Sequence, residues 1–218
     1  MPVTFELTED PRLLAQYYRI REACFRQDLG LTGFDGSEDA DDRHGHIMIA
    51  RDGDRCVGGA RINGTGPGHS RRLPMETDDF LMGEVMGEVM GEMMPALTLD
   101  NRTYCQWTRL CLTPDYRIRQ ILRGLVQAVI VRSAALGYRY AFNVAGMSRA
   151  RLYKRLHEVL GYRYDICEQL LVPVEEGFRH LQHLLSITHL DAALHEGKAE
   201  GKDDCNVVCA GLEWHQAA

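Results

Sequence analysis

The sequence predicts an α/β fold, one mixed sheet flanked by helices, and three observations predict it. Strand-period and helix-period segments alternate along the chain. A strand–turn–helix unit occupies the centre, at residues 106–125. Upstream of it, an Asp-Gly hairpin signal joins two alternating runs. The 218 residues suffice for one full core. No composition shift marks a boundary, so the chain reads as a single domain.

Residues 3–7 read as the first strand. Asp10 is an N-cap and Pro11 the first position of a helix that runs to about residue 28. Leu14, Tyr17, Tyr18, Arg21, Cys24 and Phe25 lie along one stripe of it, and Gly30 stops it. The stretch "GLTGFDGSEDADDRHG" is too charged for core and too Gly-rich for helix. It is a surface loop or a lid over a site. Residues 46–51 and 55–62 are strands joined by Asp52-Gly53-Asp54. Gly58 and Gly59 inside the second strand imply a bulge or a ligand passing close. Residues 63–73 read as loop. Residues 77–94 read as a helix in which Met82, Met86 and Met90 run beside Gly83, Gly87 and Gly91. That pattern suits close packing on a neighbouring element, or a deformable wall for an aliphatic chain.

In the central unit Trp107, Arg109, Cys111 and Thr113 alternate with Thr108, Leu110, Leu112 and Pro114, which is a strand. Pro114 ends it for want of an N–H. A helix from about residue 117 to 135 carries Ile118, Ile121, Leu122, Leu125 and Val126 on one side. The turn between them offers backbone N–H groups at a helix N-terminus, where phosphate binds well. Arg117, Arg119 and Arg123 add positive charge there. An ordinary βα unit with arginines on a solvated face fits the same residues. Gly137 ends the helix, and residues 138–144 form a strand. Ser148 caps a helix over 149–157, and Gly161 turns into a strand ending near 174. Residues 176–194 read as a helix, with Leu184, Leu185, Ile187 and Leu190 among its apolar positions. Residues 195–204 read as a flexible linker before a last strand at 205–214.

Composition narrows the function. The hydrophobic fraction is 45% and the charged fraction 26%, ordinary for a soluble globular protein. A net charge of −6 argues against a general nucleic-acid binder. No apolar run is long enough to span a membrane. The seven cysteines are scattered and form no Cys-x-x-Cys pair. Free thiols in a reducing cytoplasm are expected, and no metal site. No cysteine or serine has a nearby His–acid partner in the sequence, so no covalent enzyme intermediate is expected.

"LCLTPDYRIRQILRGL" resembles the cofactor-binding segment of the GCN5-related N-acyltransferase superfamily. The resemblance implies a sheet splayed near Leu112. A thioester arm would enter there along Leu112, where a backbone N–H would steady the tetrahedral oxyanion. Coenzyme A phosphates would sit on the turn with Arg117, Arg119, Gln120, Ile121 and Leu122. Gln120 and Leu122 stand where the family's loop has glycines. That implies a looser grip on coenzyme A, or a carrier protein's pantetheine arm as donor. "YRIREACFRQDLG", "DGSEDADD", "VGGARI" and "QWTRLCL" resemble the acyl-homoserine-lactone synthases and the N-acyl amino acid synthases of that superfamily, over roughly residues 14–165.

Arg21, Phe25, Asp39, Asp42, Arg61 and Arg109 match the pattern and are implied to meet substrate. An ion-pair network holding down the acidic loop is the structural alternative for the arginines and aspartates. Leu31 stands where the pattern has tryptophan, and Gln106 where it has glutamate. Glutamine cannot accept a proton, so Gln106 would position an amine or a water. "SRARLYKRLHEVLGYRY" resembles the family segment whose tyrosine protonates the leaving thiolate, which implies that role for Tyr153; a core or stacking aromatic is the other reading. Asn143 could meet the pantetheine amides. The cationic face of Arg149, Arg151, Lys154 and Arg155 could dock an acidic carrier protein or the coenzyme's 3′-phosphate. A solvated helix face reads equally well.

The expected function is acyl transfer from acyl-CoA or an acyl-carrier protein to the amine of a small amino acid-like acceptor, by direct attack. No tightly bound cofactor is expected. S-adenosylmethionine as acceptor would give an acyl-homoserine lactone and a quorum-sensing role. An acetyl-CoA-dependent N-acetyltransferase and a non-catalytic acyl-ligand or partner-binding homologue are the alternatives.

Overall fold

A computed structural model describes residues 2–65, 73, 104–172 and 183–193. The 77–94 helix, the 195–204 linker and the 205–214 strand expected from the sequence lie outside the described residues. The elements run β1 (Thr4–Leu7), α1 (Pro11–Asp28), α2 (Ala40–His44), β2 (His46–Asp52), β3 (Arg55–Gly64) and β4 (Tyr104–Leu112), then α3 (Arg119–Ala135), β5 (Tyr140–Gly146), α4 (Met147–Leu160), β6 (Tyr162–Val172) and β7 (His183–Ala193). The strands form one sheet in the order β1-β2-β3-β4-β5-β7-β6. Neighbours are antiparallel except β4 and β5, which are parallel.

One face of the sheet packs on α1 through Leu13, Tyr17, Cys24, Ile47, Ile49, Cys56 and Cys111. The other buries Leu125, Val126 and Val129 of α3 and Leu156 of α4 against Phe5, Met48, Val57 and Leu112. As expected, Asp10 caps α1 by accepting from the Arg12 N–H at 2.8 Å, with Pro11 in the first turn. The hairpin turns through Gly53, whose φ is +60°.

β4 and β5 pair over only three positions, Tyr104 with Tyr140, Cys105 with Ala141 and Gln106 with Phe142. Beyond Gln106, β4 follows β3 as far as Leu112, and β5 follows β7 as far as Gly146. The sheet therefore opens between its fourth and fifth strands. β5 runs straight into α4, since Gly146 is followed at once by Met147 with no connecting residue.

Two glycines and a bulge shape β4's side of the opening. The β3–β4 register shifts between Gly59 and Arg61. Arg109 takes a left-handed backbone with φ +58°, and the buried Tyr17 hydroxyl donates to its carbonyl at 2.9 Å. The bulge overturns the simple alternation expected for this strand. Trp107 faces α3, donating to the Ser133 hydroxyl, while Thr108 and Arg109 both lie on the α1 side. Gly58 has φ +155°, and a Cβ there would sit 2.3 Å from the Cys111 carbonyl oxygen.

Other expectations need correction. Residues 183–193 are strand β7, not helix. Their side chains from Leu184 to Leu190 are all buried, on both faces of the sheet, so no exposed face reveals the period of two. Helix α3 begins at Arg119, two residues late, because Pro114–Tyr116 forms a 3₁₀ turn first. Helix α4 starts at Met147 with Gly146 as its N-cap and no side-chain cap, so Ser148 lies within it. The acidic stretch holds the short helix α2, whose Asp42 is buried. β3 continues to Gly64, past the expected start of a loop.

His157 of α4 is a core residue. Its Nδ1–H donates to the Tyr153 carbonyl at 2.8 Å, its Nε2 accepts from the Thr188 hydroxyl at 3.1 Å, and its ring stacks on Trp107. Burial lowers its pKa from 6.5 to about 4, so the ring is neutral at physiological pH. The unfolded chain binds this proton between those values and the folded chain does not. Stability from His157 is therefore complete above pH 6.5 and is lost as pH falls toward 4, by about 3 kcal/mol. Urea titrations at stepped pH should show that slope, and His157→Asn should flatten it. Gly58→Ala should lower unfolding stability by about 3 kcal/mol, from backbone strain and contact with β4.

Candidate active site

The site begins as an electrostatic problem. Arg21 points from α1 and Arg61 from β3 into the space below the sheet, and each is 1% exposed. A buried unpaired guanidinium is costly, so both need anions. Asp42 supplies one. Its carboxylate takes both terminal nitrogens of Arg21 at 2.9 Å and Nη1 of Arg61 at 3.1 Å. Asp39 adds 2.6 Å to Arg61, and Asp41 lies 3.6 Å from it. Arg61 Nε donates to the Thr108 hydroxyl of β4, and Arg21 also donates to the carbonyls of Gly36 and Ser37.

The aspartates can reach because they form a capping box. Asp39 accepts from the Asp42 N–H, and Asp42 from the Asp39 N–H, both at 2.9 Å. The polar stretch is thus pinned onto the sheet by ion pairs, as the structural alternative in the sequence required.

Arg109 is less well compensated. Its ion pair with Asp39 is long, 3.9 Å, and its buried Nε has no hydrogen-bond partner. Its guanidinium lies over Phe25 at 5.5 Å and Phe34 at 5.0 Å, and those rings stack on each other. Burial, Arg61 and Arg21 lower its pKa, and Asp39 opposes them. Burial would raise the Asp39 carboxyl, but Arg61, the Asp42 N–H and Arg109 outweigh it and hold it below the usual value. Asp39 is partly exposed and anionic beside an under-neutralised cation. Such a pair suits a zwitterion.

Phe34 was not legible as a site residue; an aromatic in a Gly-rich acidic stretch was its only signal. Leu31, where the pattern has tryptophan, is buried. Gln106 is 4% exposed, and the strand alternation puts it on the same side as Thr108.

Beside the end of β4, past the point where it parts from β5, lies a cavity of about 440 Å³ bounded by α1, β4 and the first turns of α3 and α4. Cys24, Phe25 and Cys111 line it from the α1 side, and Leu112, Leu122, Arg149 and Tyr153 are among the residues lining it elsewhere. The Thr113 N–H bonds to the Val57 carbonyl, so alternation turns Leu112's own N–H and C=O away from β3 toward the open edge. That carbonyl accepts from Arg117 Nε at 2.8 Å. The Arg117 guanidinium also pairs with Asp28 at 2.6 Å, so it braces the turn from beneath.

Arg119 and Gln120 are exposed in the first turn of α3, and Ile121 and Leu122 are half-buried behind them. Its N-cap, Ile118, offers no side-chain acceptor, and the Leu122 N–H already donates to the Ile118 carbonyl at 3.1 Å. Asn143 of β5 accepts from the Tyr164 hydroxyl at 2.8 Å, which leaves its NH₂ as the donor end. Tyr153 is half-buried, and desolvation raises its pKa, so the phenol stays protonated. Among the described residues no group of three or more His, Cys, Asp or Glu is placed to hold a metal ion. No described helix is long and apolar enough to cross a membrane.

This mixed seven-stranded sheet with its flanking helices has counterparts among solved structures. This is the GCN5-related N-acyltransferase fold. The acyl-homoserine lactone synthase BjaI, a CoA-dependent enzyme solved with MTA, aligns with a TM-score of 0.58 at 18% identity, over 87% of this chain and 83% of its own. FeeM, an N-acyl amino acid synthase from uncultured soil microbes, aligns at 0.57 and 11% identity, over 86% and 90%. An N-acetyltransferase from Staphylococcus aureus Mu50 aligns at 0.51 and 14%, over 87% and 99%. No family profile and no curated protein sequence matches the chain.

Asp42→Ala would leave Arg21 and Arg61 short of their shared anion. It should lower unfolding stability by about 3–5 kcal/mol in urea titrations, whatever happens to activity.

Proposed function

We propose that this protein is an acyltransferase. It moves an acyl group from a thioester, acyl-CoA or an acyl-carrier protein's phosphopantetheine arm, to the amine of a small amino acid-like acceptor. The observation that carries this reading is the separation of β4 from β5 beyond Gln106, with a cavity beside the freed end of β4. The gap exposes unpaired strand edge beside a helix N-terminus, which is what an amide-bearing arm ending in phosphates requires.

In this reading the arm lies along β4, and Asn143 donates to one of its amides. Its phosphates rest on the first turn of α3, at Arg119, Gln120, Ile121 and Leu122, where Arg117 holds the turn in place. The acceptor enters from the α1 side. Asp39 takes its ammonium, Arg109 its carboxylate, and Phe25 and Phe34 flank its body. Arg21, Arg61 and Asp42 fix that surface from behind. The amine attacks the thioester carbonyl, the C–N bond forms, and the carbonyl electron pair moves onto oxygen as a tetrahedral oxyanion that the Leu112 N–H steadies. Its collapse breaks the C–S bond and releases the thiolate. Asp39 or a water held by Gln106 takes the amine's proton, and Tyr153 delivers one to the leaving thiolate.

The test is thiol release and product mass over a matrix of donors and acceptors. Donors are acetyl-, medium-chain and long-chain acyl-CoA and the same acyl groups on a carrier protein. Acceptors are single amino acids and S-adenosylmethionine. Release that depends on the amine, with an N-acyl product, is expected. An acyl-homoserine lactone product would place the protein in signalling. Background release from every pair would leave a binding role instead. Tyr153→Phe should lower kcat about 100-fold with little change in acceptor KM. Arg109→Ala should raise acceptor KM about 10-fold or more while donor KM stays near its starting value.

A further inference from the structure

Two thiols with no part in the proposed reaction meet in the wall of the cavity. We propose that Cys24 and Cys111 form a reversible disulfide there, with Cys24 the sulfur attacked first by an oxidant of the peroxide class. Cys24 projects from α1 and Cys111 from β4, and both line the cavity. Cys24 is 7% exposed, which gives a small oxidant a way in. Arg117 Nη2 donates to its sulfur at 3.3 Å, and the thiol donates to the carbonyl of Leu112, the residue after Cys111, at 3.4 Å.

The neighbours distinguish the two sulfurs. The interaction with Cys111, together with Arg117, outweighs burial and Asp28 to draw Cys24 toward the thiolate. Cys24 and burial keep Cys111 protonated. Their arrangement is a nucleophilic sulfur with a second thiol in the same buried cluster and the same cavity wall. Cys56, the third thiol of this cluster, points elsewhere. It donates to the Gly58 carbonyl, and burial pushes it up to about 11.

The chemistry closes in two steps. The Cys24 thiolate attacks one peroxide oxygen, and the O–O bond breaks. Hydroxide leaves and takes up a proton as water, and Cys24 becomes a sulfenic acid. The Cys111 sulfur then attacks the Cys24 sulfur. The S–S bond forms, the S–O bond breaks, and the hydroxyl leaves as water with the Cys111 proton. Two thiols are oxidised by two electrons, and one peroxide is reduced to two waters. The product ties α1 to β4 and removes Arg117's sulfur partner at the rim of the cavity.

The experiment treats the full-length protein with hydrogen peroxide, blocks remaining thiols and reads intact mass and linked peptides. A loss of about 2 Da, a Cys24–Cys111 peptide and recovery with dithiothreitol are expected. Cys111→Ser should instead stall at a sulfenic acid on Cys24 that dimedone traps, and Cys56→Ser should still form the disulfide. A wild-type Cys24 that stays fully alkylatable, or one found joined to Cys56, Cys205, Cys209 or a second chain, would overturn the proposal. These readouts need no acyl donor, so they stand or fall apart from the acyltransferase reading.

Discussion

The carboxylate of Asp42 holds the α1 side of this molecule together. Two guanidinium groups, from a helix and a strand far apart in sequence, meet at one buried anion. Neither arginine could stay in a dry space without it. The helix that carries Asp42 has five residues and little stability of its own. Its capping box and its ion pairs supply what length does not. Charge arithmetic then sets the reactive surface. Arg21 and Arg61 take most of what Asp39, Asp41 and Asp42 offer, and Arg109 is left with one long contact.

A second constraint acts along β4. Its bulge turns Arg109 toward Phe25 and Phe34, and Tyr17 clamps the strained carbonyl. Gly58 allows β3 to lie against the strand's far end with no side chain between. Past the bulge the strand stays with β3 and leaves β5. The cleft is thus a product of pairing preference. Each half of the sheet keeps a complete ladder on one side and gives up the ladder between them.

Much of this was readable from residues. The Asp10–Pro11 start, the Asp-Gly hairpin, the bulge implied by Gly58 and Gly59, and the Pro114 stop are local backbone rules, and local rules show in sequence. One failure comes from burial on both faces. Every β7 side chain from Leu184 to Leu190 is buried, Ser186, Thr188 and His189 among them, so no solvent face marks its period of two. In sequence Asp42 reads as a substrate contact or as part of an ion-pair network holding the acidic loop. The structure shows the network, and only the fold reveals that one buried carboxylate serves both Arg21 and Arg61. Cys24 and Cys111 are 87 positions apart, and no spacing rule joins them.

The join between β5 and α4 ties sequence length to chemistry. Gly146 ends one element and Met147 begins the next, so the strand fixes the helix's rotation as well as its position. One added residue there would turn everything downstream by about 100°, the angle between successive helical positions. The Tyr153 phenol would swing off the cavity wall, and His157 would leave its slot between Trp107 and Thr188. Within this lineage, deletions and insertions at that point should be far rarer than substitutions of the residues themselves.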